Sequence, residues 1–438
     1  MSHGSGSPRT IGVEGLSRVE GEGSLRVVVH DGTVTDVALE IFEPPRYFEA
    51  LLVGRHFTEA PDITARICGI CPVAYQMSAC AAMEDACGVT VDDRVASLRR
   101  LLYCGEWIQS HALHVYLLHA PDFLGCADAV ELAESDRGAV QRGLGLKRTG
   151  NLIMETVGGR AVHPVNVRVG GFYRAPDPDA VAALADPLRR ARDAALATVD
   201  WVSRFDIPDV PGDYRFVALR DGDRYPIESG RPSSSEGLDA SPAEFGELVV
   251  EEHVARSTAL HARLAGRDPY LTGPLARYAL NSGTLPPLAA EAAEAAGLGP
   301  VCSNPFQSIV VRSVELVLAC DEALALVEAY APPDPPADDV QPRPGVNASV
   351  GTGVTEAPRG LLLHHYEIDQ DGTILHARIM PPTSQNQLTI EADLRRVVQG
   401  GLDLADDDLQ WRCEQAVRNH DPCISCAAHF LDLSVVTT

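Results

Sequence analysis

The chain has 438 residues, 45% hydrophobic and 22% charged, the balance of a globular protein long enough for one large core or roughly two to three ordinary domains. A formal net charge of −25 argues against nucleic acid and against an anionic membrane face, because both are polyanions. No apolar run reaches the ~18 residues of a membrane span, and Met1 to Thr10 lacks an apolar signal core, so the expectation is a cytoplasmic protein with no membrane span of its own.

In chain order, residues 1–10 are small and polar and read as a flexible start. Ser24–His30 is β-rich and ends in Asp31-Gly32, a hairpin signal, and Val34–Phe42 follows as a second strand. Pro44-Pro45 breaks the sheet, and residues 46–60 suit a short helix. From Asp92 to His119, the residues Leu98, Leu101, Leu102, Ile108, Leu113, Tyr116 and Leu117 form a helical stripe of the kind buried within a bundle. Residues 177–204, 241–265 and 306–331 show the same period. Residues 207–236, rich in Asp, Gly, Pro and Ser, suggest a surface β excursion, and 332–345 a proline-rich extended connector. Gly360–Glu367 and Thr373–Met380 read as strands around an Asp371-Gly372 turn, and helices near 389–399 and 405–419 lead to the chain's end. No internal repeat is visible. The pattern is α+β and largely helical, with β-hairpins near both ends of one domain spanning residues 11–429.

Eleven cysteines, an odd number in a long chain, do not form a secreted disulfide framework. Cys80, Cys87, Cys104, Cys126, Cys302, Cys320 and Cys413 sit singly in apolar or helical contexts and read as buried thiols. The other four form two C-x-x-C pairs, Cys68/Cys71 in Arg66-Ile67-Cys68-Gly69-Ile70-Cys71-Pro72 and Cys423/Cys426 in Asp421-Pro422-Cys423-Ile424-Ser425-Cys426-Ala427-Ala428-His429. Each pair points two sulfurs at one place. Four thiolates suit zinc, iron in clusters or nickel, and spacing alone does not choose among them. A zinc ribbon sets its pairs tens of residues apart, whereas here nearly the whole chain intervenes. Such a site would tie both ends of the fold together at its centre.

These two segments resemble the signature motifs of [NiFe]-hydrogenase large subunits. The resemblance continues in Ser17-Arg18-Val19-Glu20-Gly21, in Arg46-Tyr47-Phe48-Glu49 with Gly54-Arg55, and in Ser110-His111-Ala112-Leu113-His114. His163-Pro164, Glu356-Ala357-Pro358-Arg359-Gly360 and Pro382-Thr383-Ser384-Gln385-Asn386 follow in order. It covers residues 11 to 429, with a less diagnostic middle from 175 to 345.

The resemblance implies a large-subunit fold around a buried centre that cleaves H2 reversibly and heterolytically. Cys68 and Cys423 would be terminal nickel ligands; Cys71 and Cys426 would bridge nickel to an iron carrying carbon monoxide and cyanide. Cys423 would serve as the base and Glu20 would pass the proton onward. Pro358, Arg359 and Asp421 would line the open side of the iron, where a guanidinium keeps its proton and orients polar ligands. Glu49, His429 and the backbone carbonyl of Gln387 would hold magnesium, which takes few protein ligands. His111, His114 and His163 would be hydrogen-bonded core histidines near the site. Residues 430–438 would be an extension that a maturation endopeptidase removes after His429.

Electrons would leave through an iron–sulfur small subunit, since no cysteines remain here in a cluster pattern. Ile67–Pro72 and Ile108–His111 look like the cytoplasmic NAD(P)-linked branch, whose flavin- and NAD(P)-binding diaphorase chemistry would lie on partner subunits. The sequence departs from the family at Tyr75 and Glu22, where histidine is frequent, and at Ser110, where aspartate is common. The readings from other classes are a thiol-based H2 sensor, a structural zinc protein, and a non-catalytic relative like the complex I quinone-site subunit, a lineage that has lost the thiolates.

Overall fold

The structure, a computed structural model, describes residues 9–264, 269–343 and 348–428. At the start, Arg9–Val13, Gly23–His30 and Thr33–Ile41 form a three-stranded antiparallel sheet. The middle strand alternates as a half-buried strand should, with Leu25, Val27 and Val29 turned inward. They meet Ile390, Leu394, Leu409 and Val417 of the helices Pro382–Gly400 and Asp406–Asn419. The beginning of the chain is thereby packed on its end, each fully buried aliphatic side chain contributing ~1.5–3 kcal/mol.

The centre is a helical bundle. Asp93–Leu113 packs on Arg137–Gly158 and on Ser308–Glu328, which in turn packs on Ala185–Val202. Around Asp93–Leu113 almost every side chain from Leu98 to Ala112 is buried, as a helix surrounded by others requires. The helix does not end at His119 as one α-helix. From His114 it widens into a π-helical stretch to His119, a rare form frequent at functional sites.

A second antiparallel sheet runs Ala348–Ala357, Gly360–Asp369 and Ile374–Met380. The helix Pro72–Cys87 lies across its first strand. The approach is so close that a Cβ at Gly351 would collide with the Ala82 carbonyl, and one at Gly353 would lie 2.5 Å from the Ser78 carbonyl. Two glycines therefore set the depth at which this helix, and the cysteine at its start, is held.

Several expectations need correction. Residues 241–265 are not one helix: Pro242–Leu248 is helical, but Val249–Glu252 and His261–Leu264 pair as a hairpin. The β-branched Val249-Val250 favours the pleated form, and Val249, Ala262 and Leu264 find a core shared with Phe245 and Leu363. The hairpin within 207–236, Val217–Arg220 with Arg231–Ser234, is not a surface feature, because Val217, Ala218 and Leu219 are fully buried. Within 46–60 the α-helix is confined to Phe48–Leu52, with a 3-10 turn at Phe57–Glu59. The seven single cysteines are buried free thiols, as their apolar contexts suggested.

Candidate metal centre

Cys68 follows the 3-10 turn Ala65–Ile67, and Cys71 is the N-cap of the Pro72–Cys87 helix. Pro72 opens that helix at the position where a missing N–H does no harm. The loop between them folds back, so that the Cys68 sulfur accepts the Ile70 and Cys71 N–H groups at 3.3 Å each. The hydrogen bond between the two thiols favours the Cys68 thiolate and, by the same contact, raises the Cys71 thiol well above the usual range.

The second pair enters from the other end of the chain. Cys423 precedes the short helix Ile424–Ala427, and its N–H donates to Thr383 Oγ1 at 3.0 Å. All four sulfurs are buried and lie within 4.8 Å of one another. Cys68 Sγ is 3.5 Å from Cys423 Sγ, while the Cys423 and Cys426 sulfurs are in mutual contact.

Two residues hold this arrangement whose roles the sequence did not disclose. Arg46 donates from Nη2 to the Ile67 carbonyl at 2.8 Å and also to the Ser425 carbonyl, clamping the two cysteine segments together. Its backbone N–H reaches the Ala428 carbonyl at 2.9 Å. Glu106, fully buried, accepts from the Val73 and Ala74 N–H groups at 2.6 and 3.1 Å, capping the helix that begins beside Cys71. Burial pushes its carboxyl well above the ordinary range, against the pull of those two donors. A lone acid inside the apolar run Leu101 to Ala112 was the available signal.

Glu20 does not pair with Arg18, which turns to Asp122 at 2.6 Å. Instead the Glu20 backbone forms an isolated parallel bridge with Cys423 and accepts the Ile424 N–H at 2.9 Å. Its carboxylate lies 3.1 Å from the Cys423 sulfur, accepts the Ser425 N–H at 3.1 Å and accepts the Ser425 hydroxyl at 2.5 Å.

Over the sulfurs sits Arg359, 2% exposed. Its Nε donates to the Asp421 carbonyl at 2.8 Å, its Nη2 to Asp421 Oδ1 at 3.1 Å, and its Nη1 reaches Ser110 Oγ at 3.4 Å. Serine at 110 thus retains one contact where a carboxylate would have made an ion pair. Asp421 holds φ at 51° directly before Pro422, a left-handed conformation disfavoured for a non-glycine residue. The adjoining Pro358 carbonyl is fixed by Arg277 Nη2 at 2.9 Å. Two buried polar atoms here have no hydrogen-bond partner among the described residues, Asp421 Oδ2 and the Tyr75 hydroxyl. The Tyr75 hydroxyl, at the position where histidine is frequent, makes no hydrogen bond among the described residues.

Each of the three histidines has a polar neighbour. His111 Nε2 lies 2.9 Å from Glu315, His114 Nε2 meets the Arg418 carbonyl at 2.8 Å, and His163 Nδ1 meets the Ala65 carbonyl at 2.7 Å. Glu49 is half-buried and accepts the Ile379 N–H at 2.6 Å; burial raises its carboxyl to about 7. Gln387 is buried with both side-chain polar atoms unpartnered among the described residues. His429 and residues 430–438 lie outside the described residues.

A family model for nickel-dependent hydrogenase matches residues 46–144. Sulfhydrogenase 1 subunit alpha of Pyrococcus furiosus is 32% identical over 427 residues, covering 97% of this chain and 98% of that protein. The chain belongs to the nickel-dependent hydrogenases. NAD-reducing hydrogenase HoxS subunit beta of Cupriavidus necator is 27% identical, with 97% and 95% of the two chains covered. A crystal structure of an NAD+-reducing [NiFe]-hydrogenase in the H2-reduced state matches with a TM-score of 0.86 at 28% identity, covering 96% of this chain and 99% of that one. The α+β fold of this hydrogenase is that of the large subunits.

The donor set of the hydrogenase fits nickel and iron. Four converging buried sulfurs are soft ligands, and the cationic Arg359 lies beside the Cys68 and Cys71 thiols, favouring their charged forms. Among the described residues no helix is long and apolar enough to cross a membrane.

Proposed function

We propose that this chain is the catalytic subunit of a [NiFe] hydrogenase that cleaves H2 reversibly and passes electrons, through an iron–sulfur small subunit, to NAD(P). The observation that carries the reading is the convergence of Cys68, Cys71, Cys423 and Cys426 within 4.8 Å in the buried centre. Cys68 and Cys423 would hold nickel, and Cys71 and Cys426 would hold nickel together with an iron carrying carbon monoxide and cyanide. When bound, the metal pair supplies the redox and Lewis-acid chemistry that splits H2 heterolytically.

The chain's own groups then handle the proton. The Cys423 sulfur receives it, and Glu20 Oε2, 3.1 Å away, takes it onward without rearrangement. Ser425 donates to both carboxylate oxygens of Glu20, through its N–H and its hydroxyl, and so keeps the acceptor aimed. Arg359, anchored at both Asp421 oxygens it reaches, would present a fixed positive charge to the iron when it is bound, with Pro358 beside it. Glu49, His429 and the Gln387 carbonyl would hold magnesium. The buried, unpartnered Gln387 amide supports a ligand near that residue, since an unsatisfied buried amide is costly.

The NAD(P) acceptor, its diaphorase subunits and a cytoplasmic setting rest on the likeness to NAD-reducing relatives. A maturation endopeptidase that removes residues 430–438 completes the reading. The deciding experiment is copurification with neighbouring subunits, elemental analysis for nickel, iron and magnesium, and an acceptor screen. Stoichiometric zinc in natively matured protein would sink the assignment of the centre; H2-dependent reduction of other acceptors but not of NAD(P) would remove the acceptor alone.

A further inference from the structure

A second guanidinium holds the strand turn from which Arg359 extends. Arg277 lies on the helix Pro274–Asn281 and is fully buried. Every N–H of its side chain is engaged. Nε and Nη2 donate to the two oxygens of Glu315 at 2.7 and 2.8 Å, and Nη1 donates to Glu356 Oε2 at 3.1 Å. The remaining hydrogens go to main-chain oxygens, Nη1 to the Ala357 carbonyl at 3.0 Å and Nη2 to the Pro358 carbonyl at 2.9 Å. The Arg277 Cζ lies over the Trp107 ring, 4.4 Å from its centroid, and Trp107 Nε1 donates to the Glu356 carbonyl at 3.1 Å. Glu315 is held in turn by the Tyr225 hydroxyl at 2.8 Å and by His111 Nε2 at 2.9 Å.

The two anchored carbonyls bracket Pro358. Ala357 and Gly360 pair across the strands Ala348–Ala357 and Gly360–Asp369, so Pro358 and Arg359 form the turn between them. A peptide unit is planar, and proline fixes its own φ. Anchoring the Ala357 and Pro358 oxygens therefore sets two successive peptide planes, and with the second the direction in which the Arg359 side chain leaves the backbone. The helix is also pressed onto this turn. A Cβ on Gly273 would lie 2.6 Å from the Arg359 carbonyl oxygen, and one on Gly360 would lie 2.8 Å from the Gly273 nitrogen. Asp421 and Ser110 hold the far end of Arg359, and Arg277 holds its base.

We propose that Arg277 is a positioning residue for H2 cleavage: it fixes the turn at residues 357–360 and so sets where the Arg359 guanidinium stands over the four sulfurs. The proposal rests on the metal-centre reading for what Arg359 faces, and on the contacts just described for how Arg359 is placed. The charge of Arg277 does not by itself account for the arrangement. An ammonium would balance Glu315 and Glu356, but a single nitrogen cannot meet both carboxylates and both carbonyls as a planar fork does.

The test uses the metal-loaded holoenzyme. Arg277→Lys should keep nickel and iron, shift or broaden the infrared bands of the iron's carbon monoxide and cyanide, and lower turnover by roughly tenfold or more, the scale of a small misplacement near a reacting centre. Wild-type bands and turnover with only a lowered unfolding midpoint would overturn the proposal, because a merely structural arginine gives that result. If Arg277 acts through Arg359, the double variant Arg277→Lys with Arg359→Lys is no slower than Arg359→Lys alone, whereas losses that multiply would mark independent roles and overturn it. If Arg277→Lys does not fold, Glu315→Gln keeps the shape and withdraws a charged acceptor from the fork. It should move the same bands, and unmoved bands would refute the positioning role. Wild-type protein without nickel, iron and those bands would defeat the metal-centre reading instead. The crystal structure of Arg277→Lys then decides the positioning, since an Arg359 guanidinium still seated on Asp421 and Ser110 would refute it.

Discussion

Glu20 and Cys423 stand 403 residues apart, yet their backbones pair in a parallel bridge and the Glu20 carboxylate lies 3.1 Å from the Cys423 sulfur. The pairing depends on Gly21, whose φ is +90° and whose Cβ, if present, would lie 2.7 Å from Ile424 Cβ. Glu20→Gln keeps the shape but not the titrating group. The expected result is full metal content with a roughly 10²-fold or greater loss of turnover. H2/D2O exchange measures it, and full exchange in the variant would show that protons leave by another route.

The four thiols predict metal content. Natively matured protein should hold about one nickel and one iron per chain, with infrared bands from bound carbon monoxide and cyanide. Cys426→Ser removes a sulfur from the buried set and should lose metal while the fold persists, because the segment is still tied by Arg46 at the Ser425 carbonyl and by Glu20. Metal-replete Cys426→Ser protein by elemental analysis would contradict the ligand assignment.

Arg359→Lys preserves charge and discards the fork that reaches the Asp421 carbonyl, Asp421 Oδ1 and Ser110. A single ammonium cannot span those three oxygens. Turnover should fall by roughly 10²-fold with nickel and iron retained. Wild-type turnover in the lysine variant would reduce the role of Arg359 to its charge.

Glu356 gives a pH signature. Burial foremost raises its carboxyl to about 7 in the folded chain, against an ordinary value of 4.5, although Arg277 Nη1 lies 3.1 Å away and Leu219 N–H donates at 2.8 Å. Between those two values the folded state keeps a proton that the unfolded state has released, so stability falls as pH rises. The contribution is complete below pH ~4.5 and gone above pH ~7, amounting to at most ~3 kcal/mol. Glu356→Gln should flatten the thermal midpoint between pH ~4.5 and ~7. An unchanged slope would assign the pH dependence to other groups.

The chain end predicts processing. In active enzyme, the mass should correspond to a chain ending at His429, without Phe430 to Thr438. Intact-mass spectrometry decides this. Active, metal-replete protein that still carries the nine residues would refute cleavage but leave the hydrogenase assignment standing.

Much of this was legible locally. β-rich composition and the Asp31-Gly32 turn signal pointed to Ser24–His30, within the observed strand Gly23–His30; a helical stripe pointed to Asp93–Leu113 and Ser308–Glu328, and the flanks of the two C-x-x-C pairs pointed to the family. Other elements were hidden by their own burial. The Pro72–Cys87 helix has buried residues on every side, so no polar face marks its period. The strand Ala348–Ala357 carries glycines that weaken a strand signal and that exist for the helix lying upon it. The run 241–265 divides into helix and hairpin because Val249 and Leu264 find a common core, which no window along the chain contains.

By itself, then, the sequence determined the donor chemistry: which thiols come in pairs, which glutamate and arginine lie in motifs beside them, and where helices and strands alternate. Tertiary structure alone decided who meets whom. Glu20 turns to Cys423 and not to its neighbour Arg18, and Arg46 clamps two segments from opposite ends of the chain. The physical reason is range. Periodicity and turn chemistry act over a few residues, whereas desolvation, ion pairing and metal-ligand geometry are set by atoms brought together only when distant segments bury one another.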